Sequence, residues 1–454
     1  MSQGSSVETL LNSAREILKS LGDSVEHLAQ EYPEVFKNPD LASRLESFQA
    51  TYQEATQRLQ TPRLSIATIG TTSSGKSTIV NALIGRKLAP IEAGEMSGGV
   101  LTLRHAADSR LVVEPTEGAS WQTGEWKDLT DEEIYDRVRD GVMLPYHQKR
   151  RGQSKKIIEA PQVTVFGPLL PGVDQSILGL PPGVGIEFID LPGIKSVQDR
   201  TNLAVIQGRV QKSFSLVALD YLQVDDEHRK RLLEELKEVV SFLRGRTESM
   251  LFILNRVDQR GGDDLPLEER IASLRKEIKK QLQLQEQPDV LPFSARLLYY
   301  AQCSVGLGEA LNVSNEKRLE FLQKLFFDCA KEIKGRVSGN KELRRWIRNI
   351  EDQVEDEEEV STADLQKLLD YVYDWSGGRK LWRKLSIRVR ESFPELVLLP
   401  TLMPILKSYD ALSTSIDTIA KIRQIQYGEQ VEAKQKEIAH TRKKNQKRDQ
   451  KNQK

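Results

Sequence analysis

Residues 64–77 read Leu-Ser-Ile-Ala-Thr-Ile-Gly-Thr-Thr-Ser-Ser-Gly-Lys-Ser. The apolar run Leu64–Ile69 has the length and bounding residues of a buried strand, and after Ser77 the residues Ile79, Val80 and Leu83 recur at helical spacing. Between them, Gly70-Thr71-Thr72-Ser73-Ser74-Gly75-Lys76-Ser77 fits the phosphate-loop pattern G-x-x-x-x-G-K-[ST] in the strand–loop–helix setting that pattern needs. The glycines let backbone N–H groups turn inward around phosphates, and the helix start adds its positive dipole end. Lys76 is expected to reach the β- and γ-phosphates and the Ser77 hydroxyl to ligate Mg²⁺, with Thr78 completing the loop's contacts.

Two further strand ends carry matching chemistry. Ile186–Ile189 runs into Asp190-Leu191-Pro192-Gly193, where the Asp190 carboxylate can hold the magnesium shell and the Gly193 amide can meet a γ-phosphate. Met250–Leu254 runs into Asn255-Arg256-Val257-Asp258. A carboxylate at Asp258 can accept the ring N–H and exocyclic amine of guanine, a donor pair that adenine lacks. Asn255 would tie this loop to the phosphate loop, and the Arg256 stem would cover a base face. Ser294-Ala295-Arg296, just past the apolar Val290–Phe293, fits the loop whose backbone amide reads the guanine carbonyl. Separately these loops are ordinary polar strand ends. In this order, they select guanine.

Outward from these motifs, apolar runs at Arg110–Glu114, Gln162–Phe166 and Leu216–Leu219 suggest more strands, and helical patterns at Asp226–Leu243 and Leu267–Leu282 alternate with them. The fold class expected is α/β: a P-loop GTPase domain with a mostly parallel sheet covered on both faces, plus a helical bundle formed by N- and C-terminal helices. Two helices precede the first strand, one through Val7, Leu11, Leu18 and Val25 and a second capped by Asn38-Pro39 and ending before Pro62. After about residue 308 the strands stop. Helix faces follow at Leu319–Ile333 and Leu343–Ile350, then beyond a capping Ser361, with Gly377-Gly378 as a stop and a last helix from about Leu412 through Tyr427. The expected division is 1–61 as N-terminal helices, 62–307 as the GTPase domain, 308–440 as a C-terminal helical domain and 441–454 as a basic disordered tail.

Composition narrows the rest. The 454 residues carry 66 Lys+Arg against 66 Asp+Glu, so the molecule as a whole is no polyanion binder. Cys303 and Cys329 give no disulfide scaffold, and the five histidines lack metal-ligand spacing. The N-terminus lacks the pattern of a secretory signal, and no run reaches the roughly 18–20 apolar residues of a membrane span. A cytoplasmic protein, at most peripherally membrane-bound, is expected. No aromatic–basic signature calls for nucleic acid as a partner.

The sequence resembles the dynamin family of large GTPases, bacterial dynamin-like proteins in particular. The carrying residues are the T-x-S-S-G-K-S-T form of the phosphate loop, the Asp190–Gly193 box, Asn255–Asp258, and Met96-Ser97-Gly98-Gly99 after Pro90, within roughly residues 62–305. The resemblance implies GTP hydrolysis with Mg²⁺, a bound monovalent cation (K⁺ or Na⁺), and self-association through the GTPase domain that stimulates turnover. It places Ser97 where the family has a switch threonine on the metal, beside Ser77 and Asp190. It places Ser73 near the bridging oxygen and Thr72 where many members carry glutamine, so catalysis is assigned to Thr72, Ser73, Lys76 and Ser97. Ile194 stands where small GTPases place a water-orienting glutamine, and an isoleucine cannot orient water by hydrogen bonding.

Residues 379–406 join six cations, Arg379, Lys380, Arg383, Lys384, Arg388 and Arg390, to Trp382, Phe393, Leu396–Leu399, Leu402 and Met403, with Pro394, Pro400 and Pro404 breaking the run. Two readings stay open: contact with an anionic membrane surface, or a solvated helix face followed by a buried turn. Correspondingly, a membrane-coupled GTPase stands beside a switch-type GTPase that controls a protein or RNA partner without touching lipid, and beside a nucleotide-gated scaffold with negligible turnover.

Overall fold

The computed structural model describes residues 6–71, 74–91, 99–152, 159–193, 208–210, 212–222, 233–234, 237, 248–261 and 264–452, with side chains described except at 150–152 and 443–452. Two compact units emerge. One comprises Met1–Glu8 with Thr61–Val397, the other Thr9–Gln60 with Leu398–Lys454.

The first unit is built on a nine-stranded sheet: β1 (Arg63–Gly70), β2 (Val100–His105), β3 (Arg110–Val113), β4 (Gly124–Lys127), β5 (Gln162–Gly167), β6 (Gly185–Asp190), β7 (Phe214–Asp220), β8 (Met250–Asn255) and β9 (Val290–Phe293), in the order β4-β3-β5-β2-β6-β1-β7-β8-β9. The stretch β6-β1-β7-β8-β9 is parallel throughout, whereas β2 meets β6 antiparallel and β3 lies antiparallel between β4 and β5. Every residue of β7 and β8 is buried, the pattern a doubly covered parallel sheet demands. On one face Ile69, Val217, Leu219, Phe252 and Leu254 share a core with Ile271, Leu274 and Ile278 of the helix Leu267–Gln281.

Two strands escaped the sequence reading. β4 is Gly-Glu-Trp-Lys, a mostly exposed strand with no apolar alternation, and β2 begins directly after the Met96–Gly99 segment that was read as a switch. The helical pattern expected at Asp226–Leu243 lies largely outside the described residues.

Helices Ala295–Val305, Asn315–Asp328, Ala330–Val337, Lys341–Glu355, Thr362–Trp375 and Gly378–Phe393 follow the sheet within the first unit. Residues 308–397 of the expected helical domain therefore belong with the sheet, and 398–440 with the other unit. In Gly378–Phe393 the residues Leu381, Leu385, Val389 and Phe393 are fully buried, and Trp382, Val397 and Leu398 are buried as well. The membrane reading of 379–406 is corrected at those positions, because helical spacing turns them onto the core. Two of the six cations are also neutralised locally. Arg379 pairs with Asp370 and Asp374 (2.7 Å each), and Lys384 pairs with Asp289 at 3.2 Å. Nor do the prolines break the run: Pro394 opens a π-helical turn, and Pro400 and Pro404 sit inside the helix Leu399–Asn452.

The second unit consists of helices from both chain ends: Val7–Glu31, from residue 9 onward, Pro39–Gln60, and Leu399–Asn452. Asn38 caps the second, its side-chain oxygen accepting from the Asp40 amide at 3.0 Å. Phe48 stacks against Tyr52 (6.1 Å between centroids) and meets Tyr409 of the long helix at 6.3 Å. The Arg15 guanidinium donates twice to the Leu59 carbonyl, at 3.0 and 2.8 Å. The last helix continues to Asn452, so the disordered tail expected at 441–454 is corrected: the segment contains no glycine or proline and is rich in Lys, Arg and Gln, which tolerate helix well. Among the described residues no helix is long and apolar enough to cross a membrane.

Candidate active site

The five parallel strands deliver their carboxyl ends to one edge of the sheet, where open α/β sheets hold ligands. At the end of β1 the chain turns through the glycine-rich loop into the helix Lys76–Ile84, whose start at Gly75 (φ 81°) has no side-chain cap. First-turn amides without a side-chain acceptor are a ready anion site. Both loop glycines are obligatory here. A Cβ at Gly70 would lie 2.6 Å from the Ala218 carbonyl oxygen, and one at Gly75 would lie 2.3 Å from the Asn255 side-chain nitrogen in a backbone conformation that L-residues avoid.

Lys76 is buried, with its ammonium donating to the Thr71 carbonyl at 3.0 Å, and Ser74 Oγ donates to the same carbonyl at 2.9 Å. The parallel register sets Thr68 beside Asp190. Thr68 Oγ1 donates to Asp190 Oδ1 (3.1 Å) and Ser77 Oγ to Asp190 Oδ2 (2.6 Å). Burial pushes the Asp190 carboxyl up, opposed by Lys76, Ser77 and Thr68. Burial likewise pulls the Lys76 ammonium down, opposed by Asp190. A polyphosphate would answer the Lys76 charge and a cation that of Asp190. A hydroxyl and a carboxylate are the hard oxygen donors Mg²⁺ prefers, so the residues present fit that ion. Ser77 and Asp190 would hold it, and it would supply neutralisation of charge developing on transferred phosphoryl oxygens.

The base-side loops lock onto the phosphate side through one residue. Asn255, nearly fully buried at the end of β8, donates to the Ser74 carbonyl (3.0 Å) and accepts from the Ala295 amide (3.1 Å). Its single amide thus ties together the three loops that sequence spacing alone had placed in order. Asp258 accepts from Gln259 (2.9 Å) on one oxygen and from Ser294 Oγ (3.0 Å) on the other. Gly75, Thr78, Asn255, Arg256, Asp258 and Arg296 line one cleft of about 420 Å³. Arg256, at φ 62°, turns its guanidinium onto Asp220 at 2.8 Å. Gly193 is placed three residues past Asp190 in the described chain, whereas Thr72, Ser73, Ser97 and Ile194 lie outside the described residues.

Several neighbours were not foreseen. Thr68 is an interior strand residue whose role needed the β1–β6 register. Asp220, at the end of β7, has its carboxyl raised by burial and answered by Arg256. Tyr299 and Tyr300 close the cleft from the helix Ala295–Val305, with Tyr300 donating to Asp328 at 2.6 Å. Cys303 and Cys329 are buried free thiols, with burial raising both. Among the described residues no cluster of His, Cys, Asp and Glu could hold a metal by itself.

Residues 66–257 match the family model described as the dynamin family, a span containing the phosphate loop, the Asp190–Gly193 box and Asn255. Over that segment the chain is similar to the dynamin family. It is 24% identical over 208 residues to a bacterial dynamin-like protein of Nostoc punctiforme (strain ATCC 29133 / PCC 73102), an alignment covering 45% of this chain and 26% of that protein. The chain thus spans about a quarter of that relative's length. Among solved structures it is similar to a member of an oligomerised bacterial dynamin pair described for long-range sensing and tethering of membranes (16% identity, 94% of this chain, 76% of that one, TM-score 0.36). It is also similar to Toc33 from Arabidopsis thaliana (14% identity, 56% of this chain, 79% of that one, TM-score 0.31). Similarities of that size carry no weight for this chain's assembly.

Proposed function

We propose that this chain binds GTP with Mg²⁺ in the cleft between Lys76 and Asp258 and hydrolyses it to GDP and phosphate. The observation that carries the reading is the Asn255 amide, which fixes the base-side loops against the phosphate loop at 3.0 and 3.1 Å and so sets the span a nucleoside triphosphate must bridge. Lys76 stabilises charge on the transferred phosphoryl group, Ser77 and Asp190 position the metal, and Asp258 discriminates guanine. The roles assigned to Thr72, Ser73 and Ser97, and a monovalent cation beside the phosphate loop, belong to the same proposal and rest on the family resemblance. So does stimulation of turnover by self-association through the GTPase domain. Calorimetry should show GTP bound at least about tenfold more tightly than ATP, and the preference should vanish in Asp258→Ala; equal binding of both nucleotides by the unmodified chain would overturn the reading.

The proposed coupling is to an anionic membrane surface. Its support is exposure along residues 379–406, in the first unit at Lys380, Arg383, Ile387 and Arg390 and, separately, in the second at Leu399, Met403 and Leu406. The burial of Trp382, Phe393, Val397 and Leu398 favours a second reading, a switch-type GTPase acting on a protein or RNA partner. Sedimentation with anionic liposomes separates the two, because only the first requires the chain to pellet with lipid.

A further inference from the structure

A buried acid touches the base-reading machinery from an element outside the nucleotide motifs. Glu332 lies in the first turn of the helix Ala330–Val337, with its side chain 7% exposed. Its Oε2 is 2.9 Å from Ser294 Oγ, and that same oxygen is 3.0 Å from Oδ1 of Asp258. A serine hydroxyl has one proton and cannot donate to two carboxylates. If both acids were ionised, one of these contacts would press two lone pairs together. Both contacts become hydrogen bonds when Glu332 carries a proton, because Glu332 then donates to Ser294 Oγ and Ser294 donates to Asp258. The reverse assignment, with the proton on Asp258, would remove an acceptor from the residue that must accept two N–H groups of the base.

We propose that Glu332 is a positioning residue for guanine recognition, acting through the Ser294 hydroxyl to hold Asp258 in its accepting orientation. The inference rests on the GTP-binding reading above. With Ser294 on one oxygen of Asp258 and Gln259 on the other, each oxygen keeps a lone pair for the base. The surroundings suit a neutral Glu332. Its cationic neighbour on the same helix, Arg336, stands 3.7 Å from the other carboxyl oxygen and is about half exposed, while Lys331 is turned to the Arg260 carbonyl. The groups facing it from other elements are Asp258 and Ser294, and the buried Cys329 thiol at the start of its own helix, itself near Arg296 and Asp328, lies close by. Burial first, and then Asp258, push the Glu332 carboxyl up to about 7, against the pull of Ser294 and Arg336. The same loop is gripped from a second helix junction. The Ser294 amide donates to the Ser376 carbonyl at 2.9 Å, and Gly377 (φ 81°) sits where a Cβ would come within 2.5 Å of the Pro292 carbonyl oxygen. Base recognition is thereby tied to the helices that follow the sheet.

The test is GDP and GTP affinity of the full-length chain from pH 5.5 to 8.5, taken as the ratio of Glu332→Gln to unmodified protein at each pH, so that titration of the phosphates cancels. Glutamine keeps the donor at every pH. The ratio is expected to stay near one at pH 5.5 and to rise toward about tenfold at pH 8, where about a tenth of a group titrating near 7 is protonated. Ser294→Ala should weaken guanine binding and abolish the pH dependence of that ratio when combined with Glu332→Gln. A ratio that is flat across pH, or below one by a constant factor, overturns the inference while leaving guanine preference intact. Absence of guanine preference in the unmodified chain would instead overturn the parent reading.

Discussion

The helix Gly378–Phe393 and the helix Leu399–Asn452 are separated by a single π-helical turn and both mix cations with apolar residues, yet they bury those apolar residues to different extents. In the first, four apolar residues are fully buried, whereas along the second Ile422, Ile425, Tyr427 and Ile438 are about half exposed or more. The difference lies in how far a complementary surface runs along each helix, since Ile405 and Leu412 near the start of the second are buried as well. A basic–apolar stretch is therefore ambiguous until its partner is known, and only the exposed subset is available to lipid or another chain.

The sharpest way to break this contrast is a charge in each helix. Leu385→Asp should cost more than about 4 kcal/mol by denaturant unfolding, because it buries an unpaired carboxylate, whereas Ile425→Asp should change stability by less than about 0.5 kcal/mol. Equal effects would erase the distinction. Next in size, Asn255→Ala should weaken nucleotide binding by about 2–4 kcal/mol in calorimetry while leaving the second unit's helices unchanged, since one buried amide serves two loops.

Glu332→Gln gives a pH-dependent effect confined to the first unit. The folded carboxyl titrates near 7 against an ordinary 4.5, so between those values the folded chain binds more protons than the unfolded one and stability falls as pH rises. The variant should be more stable than the unmodified chain by about 2–3 kcal/mol above pH 7, with no difference below about pH 4.5. Thermal melts at pH 5 and 8 would show it. The smallest effect expected is on lipid: Leu399→Asp with Met403→Asp should lower sedimentation with anionic liposomes several-fold while leaving folding nearly untouched. Sedimentation that survives this pair and falls only with Arg383→Glu would move the contact back onto Gly378–Phe393.

Much of the site was legible in the chain because its chemistry is local. Gly70–Ser77, Asp190–Gly193 and Asn255–Asp258 each sit at the end of an apolar run, and backbone conformation at a strand end is set by neighbouring residues. The missed strand β4 has no apolar alternation to betray it, so nothing local distinguished it from a loop. Thr68, Asp220 and Glu332 were invisible for a different reason: each matters only through a residue at least 36 positions away.

The sequence by itself determined the order of nucleotide loops, the alternating strand–helix pattern and the presence of helices at both chain ends, since periodicity and turn chemistry act over a few residues. Tertiary structure alone decided which apolar residues of the two basic helices are buried, that Asn255 also holds the Ala295 loop, and that one hydroxyl stands between Asp258 and Glu332. Those outcomes depend on registers and packing between distant segments, where a shift of one residue turns a side chain from core to solvent.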